Sequence, residues 1–219
     1  MSGISFPDLD PRDRYKLLCG VVVPRPIALV TTLDENGAVN AAPFSFFNVF
    51  SEDPPLVVLG LQHKSDQSPK DTTRNIQRSG EFVIHMVDEA LAATMNDCAI
   101  DFPAGDSEVT ATGLAALPSI DVKVPRLAAA PFALECRRHV GLTFGPGREL
   151  LVGEVLRLHA REGLLDQAKM YVDIDAYRPI GRLFGNLYTT QRDIFALTRE
   201  SHAEWLARSN GAGQSPDEA

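Results

Sequence analysis

Two stretches of the chain carry residues whose types and spacing could do chemistry. The first is "NAAPFSFFNVFS" at residues 40–51. On an extended backbone it sets Asn40, Ala42, Phe44, Phe46 and Asn48 on one side and Ala41, Pro43, Ser45, Phe47 and Val49 on the other. A half-buried strand alternates apolar and polar residues, whereas here both faces are mixed. That pattern suits contact with a group that is part aromatic and part polar; an edge strand packed under a loop gives it equally. The second stretch is "SPKDTTRNIQRSG" at 68–80. Ser68 stands at the cap position, Pro69 at the first helical position, Asp71 three residues after the cap and Gly80 at the stop. The first turn of such a helix offers unpaired amides and the positive end of its dipole, beside Lys70, Thr72 and Arg74. These are the parts of an anion site, although a capped surface helix with solvated basic residues has the same composition. Together the two stretches favour one ligand with a flat aromatic system at one end and a phosphate at the other. Flavin mononucleotide (FMN) has that form: its ring needs apolar walls and amide-type partners.

Other chemistries find little support. His63, His85, His139, His159 and His202 form no short ligand pair with one another or with a cysteine, so no metal site is expected. There is no G-x-S-x-G elbow, no G-x-G-x-x-G after a strand and no phosphate-binding G-x-x-x-x-G-K-[ST] loop. Cys136 shares a strand face with Phe132 and Leu134 and reads as a small buried hydrophobe. A formal net charge of −8 argues against sequence-independent nucleic-acid binding, which needs clustered cations. Cys19, Cys98 and Cys136, odd in number and widely scattered, fit reduced thiols better than a disulfide framework. The opening "MSGISFPDLDPRDRYK" has no apolar run of the secretory kind, and the apolar runs elsewhere are too short and broken to span a bilayer. The expectation is a cytoplasmic protein with no membrane partner.

The elements that must position these residues follow from punctuation and periodicity. A helix is predicted from Asp10 to Cys19, capped by Asp10 with Pro11 in its first turn. "PIALVTTLDENGAVNAAPF" reads as a hairpin turning at Asn36-Gly37, residues that tolerate positive φ. "PPLVVLGLQ" (54–62) is an apolar strand and "EFVIHMV" another, followed by a helix from about Asp88 to Asn96. Residues 97–130 read as irregular with one short helix. "FALECRRHVGLTF", "GPGRE" and "LLVGEVLRLHA" make a second hairpin. A helix at about 198–208 precedes "SNGAGQSPDEA", a polar tail expected to be disordered. Strands joined by hairpins, with helices inserted between them, indicate an antiparallel barrel with helical decorations rather than a doubly wound sheet.

The pieces "RPIALVTTLDENGAVNAAPFSFFNVFSEDPPLVV", "KDTTRNI", "GEFVIHMV", "FALECRRHV", "LLVGEVLRL" and "RPIGRLFGNLY", in this order, resemble the flavin reductase-like, FMN-binding split-barrel family over roughly residues 20–190. The resemblance implies an all-β core with helical decorations, a six-stranded antiparallel split barrel, and a homodimer with FMN near the subunit interface. It divides the chain into an N-terminal helical extension (1–20), an FMN-binding split-barrel domain (21–190) and a C-terminal helix and tail (191–219). Position by position, it implies that Thr31, Thr32 and Asn40 lie beside the flavin. It further implies that Ala42, Pro43, Phe44, Ser45, Phe46, Phe47 and Asn48 line the ring. Lys70, Asp71, Thr72 and Asn75 match a phosphate-end element, with Asp71 in a capping or orienting role. Arg25 is a phosphate or ribityl contact, and Arg182 and Tyr188 border the pocket. His85 and Phe184 depart from the family pattern, which has asparagine and glycine there in many members.

The implied activity is hydride transfer from NAD(P)H, a transient co-substrate, to FMN or, as the alternative flavin, FAD. No acidic or basic side chain is required as a catalyst. Reduced flavin would pass to a partner monooxygenase or other electron acceptor. Two alternatives stay open: an FMN-binding electron carrier or flavin store, and an FMN-dependent enzyme acting on its own small organic substrate, with the insert at 97–130 as a lid.

Overall fold

Asp10 accepts a hydrogen bond from the Asp13 amide at 2.9 Å, and this cap, with Pro11 behind it, starts α1 (Pro11–Val21). The computed structural model describes residues 3–103 and 107–211. After α1 come β1 (Ala28–Leu33), β2 (Val39–Phe44), β3 (Phe47–Glu52) and β4 (Pro55–Gln62), then α2 (Asp71–Ser79) and β5 (Glu81–Met86). The insert holds α3 (Ala92–Asp97), α4 (Glu108–Ala111) and the two-residue strands β6 (Ala116–Leu117) and β7 (Arg126–Leu127). The long hairpin is β8 (Phe132–Phe144) and β9 (Arg148–Ala160). Short strands β10 (Leu165–Asp166), β11 (Tyr171–Val172), β12 (Ile180–Arg182) and β13 (Tyr188–Thr190) precede α5 (His202–Gly211). No helix among the described residues is long and apolar enough to cross a membrane.

The principal sheet has seven strands in the order β2-β1-β5-β8-β9-β4-β3, all antiparallel, rather than the six expected. The additional strand comes from the opening motif, which is split into β2 and β3 at the two outer positions of the sheet. Only Ser45 and Phe46 join them, so the sheet must curl until its edges meet at that corner. The corner is stitched to β4: the Gly60 amide donates to the Phe46 carbonyl at 2.7 Å. A Cβ at residue 60 would stand 2.9 Å from that of Phe46, so only glycine leaves room for this approach.

The two-residue bend also breaks the period of 2 that an uninterrupted strand would keep. Phe47 therefore points into the core, while Asn48 is exposed on an edge strand and accepts from the next amide, that of Val49, at 2.8 Å. Neither borders the cleft described below, contrary to expectation.

Apolar residues on the two faces of β1 and β5 feed two clusters. One unites Val30, Phe82, Ile84, Leu59 and Cys136 within the curl; the other packs Leu29, Val87, Leu91 and Met95 beneath the insert. Cys19, Cys98 and Cys136 are free thiols and buried. Burial drives the Cys136 thiol far above its usual value, in keeping with its reading as an apolar filler.

Several boundaries differ from expectation. The turn between β1 and β2 is organised by Asp34, whose Oδ1 accepts from the Asn36 and Ala38 amides at 2.9 and 2.7 Å, and only Gly37 is left-handed (φ 85°). The helix after β5 begins at Ala92 rather than Asp88: Asp88 Oδ1 accepts from the Leu91 amide and Oδ2 from Arg161, but residues 89–91 form a turn before the helix. The last helix runs from His202 to Gly211 and so takes in residues 209–211 of the tail expected to be disordered, while residues 212–219 of that tail lie outside the described residues.

His85 is fully buried on β5 and acts as a strut. Its Nδ1 pairs with the Leu29 carbonyl at 2.9 Å, and its Nε2 accepts from the Leu127 amide at 2.8 Å, tying the insert to the sheet. That pairing fixes the neutral Nδ1–H tautomer. Burial, with Arg126 and His159 nearby, lowers its pKa to about 4, against the Leu29 hydrogen bond. The folded pKa thus lies below the unfolded one, so the stabilisation is complete above about pH 6.5 and is lost as pH falls toward 4. Between about pH 6.5 and 5 this group should cost about 2 kcal/mol of folding stability. Urea titrations at several pH values should show that slope, and His85→Phe, less stable throughout, should lose it. An equal slope in the variant would place the effect elsewhere.

Candidate functional site

The helix that follows β4 begins at Asp71, not near Ser68. Asp66 takes both the amide and the hydroxyl of Ser68, at 2.9 and 2.6 Å. These bonds hold Ser68 in the turn before the helix, and its hydroxyl accepts from no first-turn amide. Lys70 is the N-cap, and no side chain caps the helix. Its first-turn amides are left without a capping acceptor, next to the exposed Lys70 ammonium. Gly80 ends the helix in the left-handed conformation (φ 72°). The start of α2 lies against β2: Asn40 Nδ2 donates to Thr72 Oγ1 at 3.0 Å, and Asn75 Nδ2 to Thr32 Oγ1 at 3.0 Å. The register of β1 on β2 sets Thr32 opposite Asn40, so the two pairs form neighbouring rungs.

These contacts open a cleft of about 640 Å³ between the two stretches singled out in the sequence. Asn40, Ala42, Pro43 and Phe44 form one wall, and Lys70, Asp71 and Thr72 another. A shallower pocket of about 310 Å³ shares Pro43, Phe44 and Lys70 with it and adds Ser45 and Phe46. A side lobe of about 360 Å³ shares Asn40, Asp71, Phe102 and Glu108 and reaches Asn75 and Arg74. Thr31 and Thr32 are wholly buried behind the wall; Thr31 Oγ1 donates to the Pro125 carbonyl at 2.9 Å.

Arg25, Arg182 and Tyr188 stand apart from the cleft. The Arg25 guanidinium is buried and donates to the carbonyls of Cys19, Val22 and Leu183 at 2.7–2.9 Å and to Ser45 Oγ at 3.4 Å. It braces the end of α1 against the corner strand. Arg182 bonds the Tyr188 hydroxyl and the Gly185 carbonyl, with its guanidinium 4.5 Å from the Tyr188 ring centre. Backbone bonds of 3.0 and 2.8 Å join Arg182 to Arg25. Phe184 is half exposed in the turn between β12 and β13.

The loop after β4 and the insert, the latter already considered as a lid, complete the cleft. His63 and Lys64 come from the loop after β4, Ile100 and Phe102 from the insert, and Glu108 from α4. His63 Nδ1 pairs with the Gln67 carbonyl at 3.2 Å, while its buried Nε2 has no partner among the described residues. Asp71 is flanked by Arg74 at 3.1 Å and Lys64 at 4.0 Å, so its charge is offset rather than turned bare toward an anion. Cys98 borders the cleft, but burial raises its thiol above the usual value despite the Thr112 hydroxyl. That is the reverse of what a reactive thiolate needs. No group of metal-ligating side chains occurs among the described residues.

The donor set fits a flavin mononucleotide. The Pro43–Phe44 wall suits a flat ring, Asn40 and the strand backbone suit its polar edge, and the uncapped α2 start with Lys64 and Lys70 suits a phosphate. The orphaned His63 Nε2 is a further polar atom that such a ligand would satisfy.

Known proteins share this fold over most of the chain. The 2-nitrobenzoate 2-nitroreductase of Pseudomonas fluorescens superposes with a TM-score of 0.85 at 40% identity, over 92% of this chain and 98% of that one. The nitrilotriacetate monooxygenase component B of Bacillus cereus gives a TM-score of 0.86 at 34% identity, over 90% and 98%. An uncharacterized protein of Bacillus subtilis is 42% identical over 198 residues, 88% of this chain and 96% of its own. The sequence profile of the flavin reductase like domain matches residues 21–181, and the chain belongs to that family.

Proposed function

We propose that the protein binds FMN in the cleft between β2 and the start of α2 and acts as an NAD(P)H-dependent flavin oxidoreductase. The observation that carries this reading is the meeting of the Pro43–Phe44 wall with Lys70, Asp71 and Thr72 in one cavity. The chemistry that a bound flavin supplies is two-electron transfer from a reduced nicotinamide. The chain's part is to hold and orient: Asn40 and Thr72 fix each other, Asn75 anchors α2 on Thr32, and Lys64 and Lys70 supply positive charge. No side chain needs to move a proton for that step, which agrees with a cleft whose thiol is held protonated. FAD is the alternative flavin, and the side lobe beside Arg74 offers room beyond the helix start.

Reduced flavin would serve a partner monooxygenase, in keeping with the likeness to a monooxygenase component B. A second reading, reduction of the protein's own small organic substrate, is favoured by the apolar Ile100 and Phe102 on the cleft and the likeness to a nitroreductase. The chain is also proposed to pair as a homodimer. Val49 and Phe50 on the edge strand and Ile194, Phe195 and Leu197 on the extended C-terminal arm are each more than half exposed, an apolar display that a second copy would cover.

Anaerobic stopped-flow mixing of FMN-loaded protein with NADH, then NADPH, should bleach the flavin band with one donor preferred. No bleaching with either donor would reject the reductase reading and leave a carrier. Adding an aromatic nitro compound to the reduced sample separates the readings, because reoxidation without a second protein supports the organic substrate. Light scattering on the same sample should give twice the chain mass, and a monomer would remove the dimer.

A further inference from the structure

Glu108 enters the cleft from a segment to which neither stretch read from the sequence belongs. It opens α4, where Ser107 accepts from the Thr110 amide at 3.3 Å and donates to the Val39 carbonyl at 2.5 Å. The helix is thereby pinned along β2, an outer strand of the sheet whose outward amides lack a ladder partner. Glu108 Oε2 supplies that partner to Ala41, accepting its N–H at 3.0 Å. No other residue among those described donates to Glu108 Oε1; besides Ala41 the carboxyl meets only its own backbone amide, and the side chain borders both the main cleft and the side lobe.

The charged and titratable groups that share the cleft and side lobe with this carboxyl come from four elements. Helix α2 brings Lys70, Asp71, Arg74 and Arg78; the loop after β4 brings His63 and Lys64; the insert brings Cys98 and Asp101; the first hairpin turn brings Asp34 and Glu35. Strand β2 itself contributes none. Arg74 and Lys64 are engaged with Asp71 and not with Glu108. Partial burial, and more weakly Asp71, raise the Glu108 carboxyl above its usual range, with the Ala41 amide and Glu108's own amide opposing them.

We propose that Glu108 is a proton-donating binding residue of the cleft, with Oε2 held on the Ala41 amide and Oε1–H offered to an acceptor atom of the bound ligand. The proposal rests on the flavin reading of the same cleft. When Glu108 starts as a carboxylate, binding takes up one proton from solvent, which forms the O–H bond; nothing is oxidised or reduced. The ionised carboxyl instead turns lone pairs toward the ligand's acceptor and adds a negative charge beside a phosphate-bearing molecule. Affinity therefore falls as pH rises through the titration of this group.

The test is equilibrium binding of FMN and of riboflavin, followed by flavin fluorescence quenching between about pH 4.5 and 8, a range above the ordinary carboxylate value. Glu108→Gln keeps an oxygen for the Ala41 amide and carries an N–H donor at every pH. Wild type should lose about tenfold in affinity for riboflavin across the range, equivalent to a donor lost on ionisation, and FMN should show the same difference between wild type and variant. The variant should keep its low-pH riboflavin affinity throughout. Riboflavin removes the phosphate's own titration near pH 6 from the comparison. Parallel pH profiles in wild type and variant, or a flat wild-type profile, would overturn the proposal while leaving the flavin reading intact. Failure of wild type to bind either flavin would overturn the flavin reading itself. Should the variant not fold, carboxyl NMR of wild-type Glu108 replaces it: its titration midpoint should rise on riboflavin binding, and an unmoved midpoint overturns the proposal.

Discussion

Replacing Lys70 by glutamate is expected to weaken FMN binding about 100-fold and to change riboflavin binding by less than about threefold. Lys70 is exposed at the N-cap of α2, and it lines the cleft without forming an ion pair among the described residues. Its removal should therefore cost the fold little. The ligand phosphate carries close to two negative charges near neutral pH, so reversing one facing charge removes an attraction and installs a repulsion. Riboflavin lacks that group and reports on the ring wall alone. The difference between the two ligands should shrink in high salt, as an interaction in a partly solvated cleft must. Equal losses for both ligands would mean that the substitution distorts the cleft. No loss for either would place the phosphate elsewhere.

The second large effect concerns the sheet that carries β4 and the corner. Gly153 on β9 lies opposite Val57 of β4 and Arg138 of β8. A Cβ at residue 153 would stand 2.4 Å from Phe82 Cζ, and Phe82 on β5 is wholly buried, so the ring has no space into which to retreat. Gly153→Ala should cost about 2–3 kcal/mol by overpacking, and Phe82→Ala should cost about 3–5 kcal/mol by leaving a cavity. The two defects are complementary. Phe82→Ala combined with Gly153→Ala should therefore lose at least about 1 kcal/mol less than the sum of the single changes. Urea midpoints with unchanged m-values would measure this, and a neutral Gly153→Ala would show that the ring can shift after all.

Local chemistry was enough to read several elements. Asp10 and Pro11 start α1 because cap and first-turn residues act within a few positions of themselves. Gly37 and Gly80 mark a turn and a helix stop because only a residue without a side chain takes positive φ at no cost. The hairpin of β8 and β9 was visible in its two long runs around "GPG". The same local logic failed at Ser68, which its bonds to Asp66 hold in the turn before the helix. It failed again at Ser45–Phe46, where a bend moved Phe47 into the core and Asn48 to an outer edge.

By itself, then, the amino-acid sequence marked the long hairpin strands, the start of α1, the glycine stop of α2 and the two stretches that line the cleft, since each depends on residues close along the chain. Only the tertiary structure decided that those stretches face one cavity and that Arg25 spends its donors on carbonyls rather than on the cleft. It alone brought in His63 and chose Phe102 and Glu108 from the insert. Those positions are fixed by the curl of a seven-stranded sheet and by hydrogen bonds between residues tens of positions apart, such as Ala41 with Glu108, for which no short-range pattern exists.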